Sequence, residues 1–137
     1  AGLGCFRDIG VEDLTEHKMD SDLISVDTAA VQLVNTAKAE GRRICAVGTS
    51  VQRVLETAAL TGGMLKEYDG WTSKFIFPEY NFQVANCMIA NFYAPYSTML
   101  MLTTAFGGYD NVMKAYQVAL DEGYRFGLYG DAMLIID

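Results

Sequence analysis

The segment from Arg43 to Glu56 combines residue types that could hold an anion. A short apolar run predicted to be a strand leads to Gly48, then to the hydroxyls of Thr49 and Ser50, and finally to an amphipathic helix that carries Arg53. The first amides of a helix lack intrahelical partners, and the helix dipole favours negative charge at that end. Arg53 lies about one turn into the helix, where a guanidinium can bind a carboxylate or phosphate through two hydrogen bonds.

The same segment also fits an ordinary strand-to-helix turn. In that interpretation Thr49 or Ser50 caps the helix, and Arg53 forms a surface ion pair with Glu56. The segment has neither a Walker lysine nor G-x-G-x-x-G spacing, so the common nucleotide-binding motifs do not apply. The residues alone leave both interpretations open.

Two other side chains could move a proton. His17 is the only histidine of the chain, and histidine is the side chain whose unperturbed pKa suits proton transfer near neutrality. A lone histidine in a polar stretch is, however, more often solvated than catalytic. Asp131 follows Gly130 and precedes an apolar run, a position that suits a functional carboxylate and that is also common for local turn structure.

The composition describes a single soluble domain and argues against several classes of protein. The chain has 137 residues, 51% of them hydrophobic and 20% charged, with a net charge of −7. This charge disfavours a dedicated nucleic-acid module, although Lys38, Arg42 and Arg43 form a local basic group. Three cysteines without C-x-x-C spacing indicate a reducing cytoplasm and neither a disulfide framework nor a zinc site. Polar residues and Pro95 interrupt the apolar stretch 86–106, so no membrane span is predicted.

The predicted elements alternate between strands and helices. Strands are predicted over 23–26, 44–47, 71–77, 84–92 and 132–136. Helices are predicted after an Asp27 cap as far as Gly41, over 51–60, over 98–106 after a Ser97 cap, and over 111–122 after an Asp110 cap. This order favours an α/β fold with mostly parallel strands, crossover helices and a helical hairpin before the last strand.

Five segments, in chain order, carry a resemblance to a known family. They are G-L-G-C-F-R at 2–7, H-K-M-D-S-D at 17–22, A-V-G-T-S-V-Q-R-V-L-E at 46–56, F-I-F-P-E-Y-N-F followed by N-F-Y-A-P-Y-S-T-M-L-M-L-T-T-A-F-G-G within 75–108, and A-Y-Q-V-A-L-D-E-G-Y-R-F-G-L-Y-G-D-A-M-L-I-I at 115–136. Together they resemble the C-terminal part of the S-adenosylmethionine:tRNA ribosyltransferase-isomerases of queuosine biosynthesis.

The resemblance implies a cytoplasmic, tRNA-modifying transferase and isomerase. Members transfer the ribosyl group of S-adenosylmethionine to 7-aminomethyl-7-deazaguanine at the tRNA wobble position and isomerise it to epoxyqueuosine. S-adenosylmethionine is a substrate, and no other cofactor, metal or membrane is implied. Members combine an α/β barrel-like domain with an inserted β-barrel domain, so residues 1–137 would be one partial domain. Such a fragment is expected to be inactive alone and to self-associate through an exposed edge.

The resemblance also suggests roles for particular residues. His17 and Asp131 become candidate catalytic residues, and the candidate substrate-binding residues are Gly2, Gly4, Thr49, Ser50, Arg53, Asn91, Tyr93 and Arg125. The chain departs from the usual family pattern at Cys5, Glu79, Ala90 and Tyr93. Tyr93 stands where a histidine is usual, so it either alters activity or only packs. The alternative function is a non-catalytic paralogue or a small-metabolite-binding α/β module.

Overall fold

Two small sheets and four α-helices make up residues 4–136, the part of the chain that this computed structural model describes. The strands are β1 Asp22–Val26, β2 Cys45–Val47, β3 Tyr68–Thr72, β4 Cys87–Asn91 and β5 Ala132–Ile136. The helices are α1 Thr28–Ala39, α2 Thr49–Ala58, α3 Thr98–Gly107 and α4 Tyr109–Asp121. Two 3₁₀ turns, Gly4–Phe6 and Leu14–Glu16, precede β1.

The strand pairing differs from the predicted parallel sheet. One sheet pairs β1 with β3 antiparallel, and the other has the order β2-β4-β5. Only β2 and β4 are parallel, because β5 runs antiparallel to β4. The prediction of mostly parallel strands is therefore wrong for the described residues, and neither of their sheets closes into a barrel. The alternation of buried and exposed residues along β1 is the pattern of an antiparallel strand with one solvated face.

The helix boundaries follow the local signals in most places. Asp27 caps α1 by accepting a hydrogen bond from the Ala30 amide, and Ser97 caps α3 through the Leu100 amide. Gly41 follows the end of α1 with a φ of 66°, as predicted for that position. The predicted Asp110 cap is wrong, because Gly108 takes the N-cap position and Asp110 lies in the first turn of α4. All these helices keep the predicted order.

Two strand boundaries shift for reasons that lie outside local sequence. The predicted strand 84–92 begins only at Cys87, because the amides of Gln83 and Val84 donate to the carboxylate of Glu56 instead of to a neighbouring strand. Instead of the predicted strand 71–77, the strand that pairs with β1 is β3, which begins and ends earlier in the chain, at Tyr68 and Thr72. In the second case the Lys74 amide donates to the Thr72 hydroxyl, which turns the chain away from β1.

The core lies between the three-stranded sheet and the helices packed on it. Ala46 of β2 and Met88 of β4 are fully buried, and Ile76, Leu102 and Val112 pack in the same cluster. The three-stranded sheet ends on one side at β5, whose Leu134 and Ile136 are exposed. No helix within residues 4–136 combines the length and apolarity that crossing a bilayer needs.

Candidate functional site

Three chain segments meet at one edge of the β2-β4-β5 sheet. Because β2 and β4 are parallel neighbours, the turn after β2 and the loop after β4 leave the sheet at the same edge. β5 is antiparallel to β4 and begins there, directly after Asp131. We call this the carboxyl edge. In open α/β sheets ligands bind outside the carboxyl ends of parallel strands, so the edge is the candidate site.

The turn after β2 leaves the start of α2 without a side-chain cap. Gly48 occupies the N-cap position with a φ of 95°, a conformation that favours glycine. No side chain caps this helix, so the predicted cap by Thr49 or Ser50 is wrong. Thr49 is buried and Ser50 is half-buried, and both line a cleft beside the helix. The uncapped first turn keeps the amides and positive dipole end that an anion needs.

Arg53 is buried and pairs with Asp22. The guanidinium Nη2 donates to Asp22 Oδ2, and both side chains are only 4% exposed. Its Nη1 donates to the Met19 sulfur at 3.3 Å. The alternative interpretation of a surface pair with Glu56 is therefore wrong. Arg53 joins α2 to β1, and its contact with a substrate anion stays a prediction.

The environment of Asp22 keeps its carboxylate ionised. Burial alone raises the pKa of Asp22, but the Gly4 amide, which donates at 3.0 Å, and the Arg53 guanidinium together leave the pKa below its ordinary value. Gly4 must be glycine here, because a Cβ would lie 2.8 Å from the Asp20 carbonyl oxygen. Gly4 therefore supports the ion pair, while Gly2 lies outside the described residues.

Asn91, Arg125 and Asp131 come together at the carboxyl edge and bond to one another. The Arg125 amide donates to Asp131 Oδ2 at 2.7 Å, and the Asp131 amide donates to the Arg125 carbonyl oxygen at 2.7 Å. The Asn91 side-chain amide donates to the Asp131 carbonyl oxygen at 3.2 Å. These hydrogen bonds hold the loop 125–131 against the end of β4. The Arg125 side chain is exposed.

Tyr93 lies inside the molecule. Its side chain is 5% exposed and belongs to the hydrophobic core cluster. The Tyr93 amide donates a hydrogen bond to the Tyr116 hydroxyl at 2.8 Å. Burial raises the pKa of Tyr116 to about 12, so that hydroxyl stays neutral near pH 7. This position favours the packing role for Tyr93 over a part in proton transfer.

We expect Tyr93→His to lower the free energy of unfolding and not to raise the rate of enzymatic turnover. Placing an imidazole in an apolar site costs about 1–3 kcal/mol of the free energy of unfolding, because its polar atoms lack partners there. Urea unfolding and turnover at pH 6 to 8 measure both effects. Tyr93→Phe is the matched control and should retain turnover. A clear rise in turnover for Tyr93→His alone would instead indicate a catalytic position.

His17 borders the cleft without lining it. Its ring lies 4.7 Å from the ring of Phe75, centroid to centroid, and Phe75 itself lines the cleft. The His17 Nε2 atom is buried and has no hydrogen-bond partner. The cleft is partly open to solvent and has only about 20 Å³ of free space, room for about one water molecule, which is far below the volume of a typical small-molecule site. A role for His17 as a proton carrier stays a prediction.

Several residues of the cleft escaped the sequence-based prediction. They are Cys5, Met19, Asp22, Phe75, Thr98 and Met99. The signal for Asp22 was a carboxylate at the first inward position of an alternating strand, which needs a partner when it is buried. Thr98 contacts the N-terminal turn, because its hydroxyl donates to the Cys5 carbonyl oxygen at 2.9 Å. Residues 4–136 contain no group of three His, Cys, Asp or Glu side chains that could hold a metal ion.

The fold is that of an α/β protein whose candidate ligand site lies at the carboxyl ends of two parallel strands. A family model described as "Queuosine biosynthesis protein" matches residues 1–135. The chain therefore belongs to this family, and the resemblance seen in its motifs is confirmed.

Relatives and a solved structure support this membership. The S-adenosylmethionine:tRNA ribosyltransferase-isomerase of Bacteroides fragilis is 64% identical over 137 residues, which are 100% of this chain and 39% of that protein. The Cytophaga hutchinsonii relative of the same name is 49% identical over 98% of this chain and 39% of its own length. A crystal structure of S-adenosylmethionine tRNA ribosyltransferase from Thermotoga maritima matches with a TM-score of 0.76 at 40% identity, over 83% of this chain and 40% of that one. The chain thus spans about 39% of the length of the curated relatives it matches.

Proposed function

We propose that this chain forms part of an enzyme that transfers and isomerises the ribosyl group of S-adenosylmethionine. The acceptor would be 7-aminomethyl-7-deazaguanine at the wobble position of tRNA, and the product would be epoxyqueuosine. The observation that carries the proposal is the family match over residues 1–135, together with 64% identity to a relative that bears this activity in its name. S-adenosylmethionine is the ribosyl donor, tRNA is the partner, no further cofactor takes part, and the compartment is the cytoplasm.

In this proposal the carboxyl edge positions the substrates. The uncapped first turn of α2, with Thr49 and Ser50, would hold an anionic group, either the methionine carboxylate of the donor or a tRNA phosphate. Arg53 lies in the next turn and keeps that helix joined to β1 through Asp22. Catalysis would then rest mainly on orientation of the donor and on electrostatic stabilisation.

Other residues at the edge would contact sugar or base. Asn91 and Asp131 have polar atoms at the end of β4 and the start of β5, where they could bond to hydroxyls or to a base edge. Arg125 is exposed beside them, and His17 would move a proton during isomerisation. The roles of Asn91, Arg125 and Asp131 are supported by their shared position at the carboxyl edge. The role of His17 is supported by its position next to Phe75, which lines the cleft.

The role of the α2 first turn can be tested with Ser50→Asp. A carboxylate there interacts favourably with the helix dipole, so stability should hold or rise by a few tenths of a kcal/mol. The same charge repels an anionic ligand, so we expect the KM for S-adenosylmethionine or for tRNA to rise about tenfold, which corresponds to about 1.4 kcal/mol. Steady-state kinetics at constant ionic strength measure the effect.

Ser50→Asn is the matched control, because asparagine has nearly the same shape and no charge. We expect its KM to stay within about threefold of the unchanged protein. Equal KM values for the aspartate and asparagine variants would place the anion elsewhere. The substrate whose KM changes tells whether the turn holds the donor carboxylate or a tRNA phosphate.

Activity assays need the parts of the relatives that this chain does not span. A suitable protein is a chimera in which these 137 residues replace the matching 39% of the Bacteroides fragilis relative. Adenine release from S-adenosylmethionine in the presence of tRNA carrying 7-aminomethyl-7-deazaguanine is the readout. A chimera that binds both substrates without releasing adenine would favour a non-catalytic, metabolite-binding role for this chain.

A further inference from the structure

Two thiols lie side by side on the parallel strands β2 and β4. Cys45 is the first residue of β2 and Cys87 the first residue of β4, and the two are direct register partners. Their sulfur atoms are 3.0 Å apart, and Cys87 donates a hydrogen bond to Cys45. Neither belongs to the carboxyl edge, because both lie at the opposite ends of their strands. The queuosine chemistry proposed above makes no use of them.

The backbone already has the spacing that a disulfide requires. Paired residues on neighbouring strands have Cα atoms about 4.8 Å apart, within the range of about 4.4–6.8 Å seen in disulfides. The two sulfur atoms would have to approach by only about 1 Å to reach bonding distance. Side-chain rotation can supply that movement while the β2–β4 pairing is kept.

The two thiols differ in access. Cys45 is exposed, whereas Cys87 is buried. An oxidant from solvent therefore reaches the Cys45 sulfur first, and the Cys87 sulfur lies beside it. The interaction with the neighbouring Cys87 thiol, followed by burial, raises the pKa of the Cys45 thiol. Because the thiolate is the reactive species, Cys45 is protected from oxidation near pH 7 and becomes reactive as the pH rises.

We propose that Cys45 and Cys87 form a reversible oxidation site that reacts with hydroperoxides. The Cys45 thiolate attacks a peroxide oxygen of hydrogen peroxide, which breaks the O–O bond and leaves a sulfenic acid and hydroxide. The Cys87 sulfur then attacks the Cys45 sulfur, the S–O bond breaks, and the second oxygen leaves as water. In sum, two thiols and one hydrogen peroxide give one disulfide and two waters. A low-molecular-weight thiol reverses the reaction by exchange.

The test uses the reduced chain, which has three cysteines. After treatment with hydrogen peroxide we expect titratable thiols to fall from three to one, and a non-reduced digest to contain a Cys45–Cys87 linked peptide. The rate should rise about tenfold per pH unit below the pKa of Cys45, since the thiolate fraction rises in that proportion. Dithiothreitol should restore all three thiols.

Two variants make the outcome decisive. Cys5→Ser removes the remaining cysteine and should still lose two thiols to the same linked peptide. Cys45→Ser, at an exposed position, should not form an internal disulfide. A linked peptide that contains Cys5, or oxidation of Cys45 to a sulfinic acid with Cys87 left reduced, would overturn the proposal. Loss of single thiols at equal rates in all three proteins would overturn it as well.

Discussion

Arg53→Ala is expected to lower the free energy of unfolding by about 3–5 kcal/mol. The substitution leaves Asp22 buried and charged, with only the Gly4 amide as a remaining hydrogen-bond donor among those described above. It also removes the link between α2 and β1. Urea unfolding of the chain, followed by circular dichroism, measures the loss. Arg53→Lys keeps the charge but lacks the planar guanidinium that contacts both Asp22 and Met19, so its loss of unfolding free energy should be intermediate.

The exposed pair of Arg42 and Glu40 provides a matched control. Their side chains are 57% and 56% exposed, and Arg42 Nε lies 2.6 Å from Glu40 Oε2. Because exposed ion pairs contribute little, Arg42→Ala should change the free energy of unfolding by less than about 1 kcal/mol. A double variant of Asp22→Ala and Arg53→Ala should lose about 1–3 kcal/mol less than the sum of the single losses, because neither charge is left alone. Additive losses would contradict a direct interaction between the two side chains.

The same ion pair predicts how stability responds to acid. The folded-state pKa of Asp22 lies below the ordinary value of 3.8. The contribution of this carboxylate to stability is therefore fully present above that value, and it is lost as the pH falls through the folded-state pKa. The protein should lose stability more steeply below pH 3.8 than Asp22→Asn does. Parallel curves for the two proteins would argue against the shift.

Glu56→Ala is expected to cost about 2–4 kcal/mol, since it leaves several donors without an acceptor. The Glu56 side chain is buried, and Oε1 accepts from the amides of Gln83 and Val84 at 3.0 and 3.1 Å. Oε2 accepts from the Tyr80 hydroxyl at 3.2 Å. The loop before β4 therefore depends on this carboxylate. Hydrogen exchange at Gln83 and Val84 should accelerate along with the loss of stability.

Glu56→Gln tests whether acceptor geometry or charge matters more. The amide keeps one oxygen for the two backbone donors, so we expect a loss of about 1 kcal/mol. Glu40→Ala, an exposed carboxylate, is the control and should stay within about 0.5 kcal/mol of the unchanged chain. Equal losses for Glu56→Ala and Glu40→Ala would show that the loop is held by other contacts.

Local signals predicted the elements of this fold well. The Asp27 and Ser97 caps, the Gly41 end of α1 and the last strand all lie where the sequence places them. Each depends on a few neighbouring residues whose chemistry is visible in the chain. The turn that leads from β2 into α2 is of the same kind, although its cap is Gly48 and not a hydroxyl.

Pairings between distant segments could not be predicted in this way. Arg53 and Asp22 are 31 positions apart, and Cys45 and Cys87 are 42 apart, so nothing local joins them. The antiparallel contact of β1 with β3 depends likewise on which strands meet after collapse, and alternation alone does not name a partner. Tyr93 shows the same limit, since its position in a loop of the family motif left a role in activity and a packing role equally open.

The measurement that tests the central proposal most directly is adenine release by the chimera with the Bacteroides fragilis relative. We predict that adenine and methionine form in equal amounts, only with tRNA carrying 7-aminomethyl-7-deazaguanine, and that the tRNA gains one ribosyl-derived group per adenine. The same tRNA with guanine at the wobble position is the control. A folded chimera that binds S-adenosylmethionine and tRNA but releases no adenine, under conditions where the unchanged relative does, would contradict the proposed function of this chain.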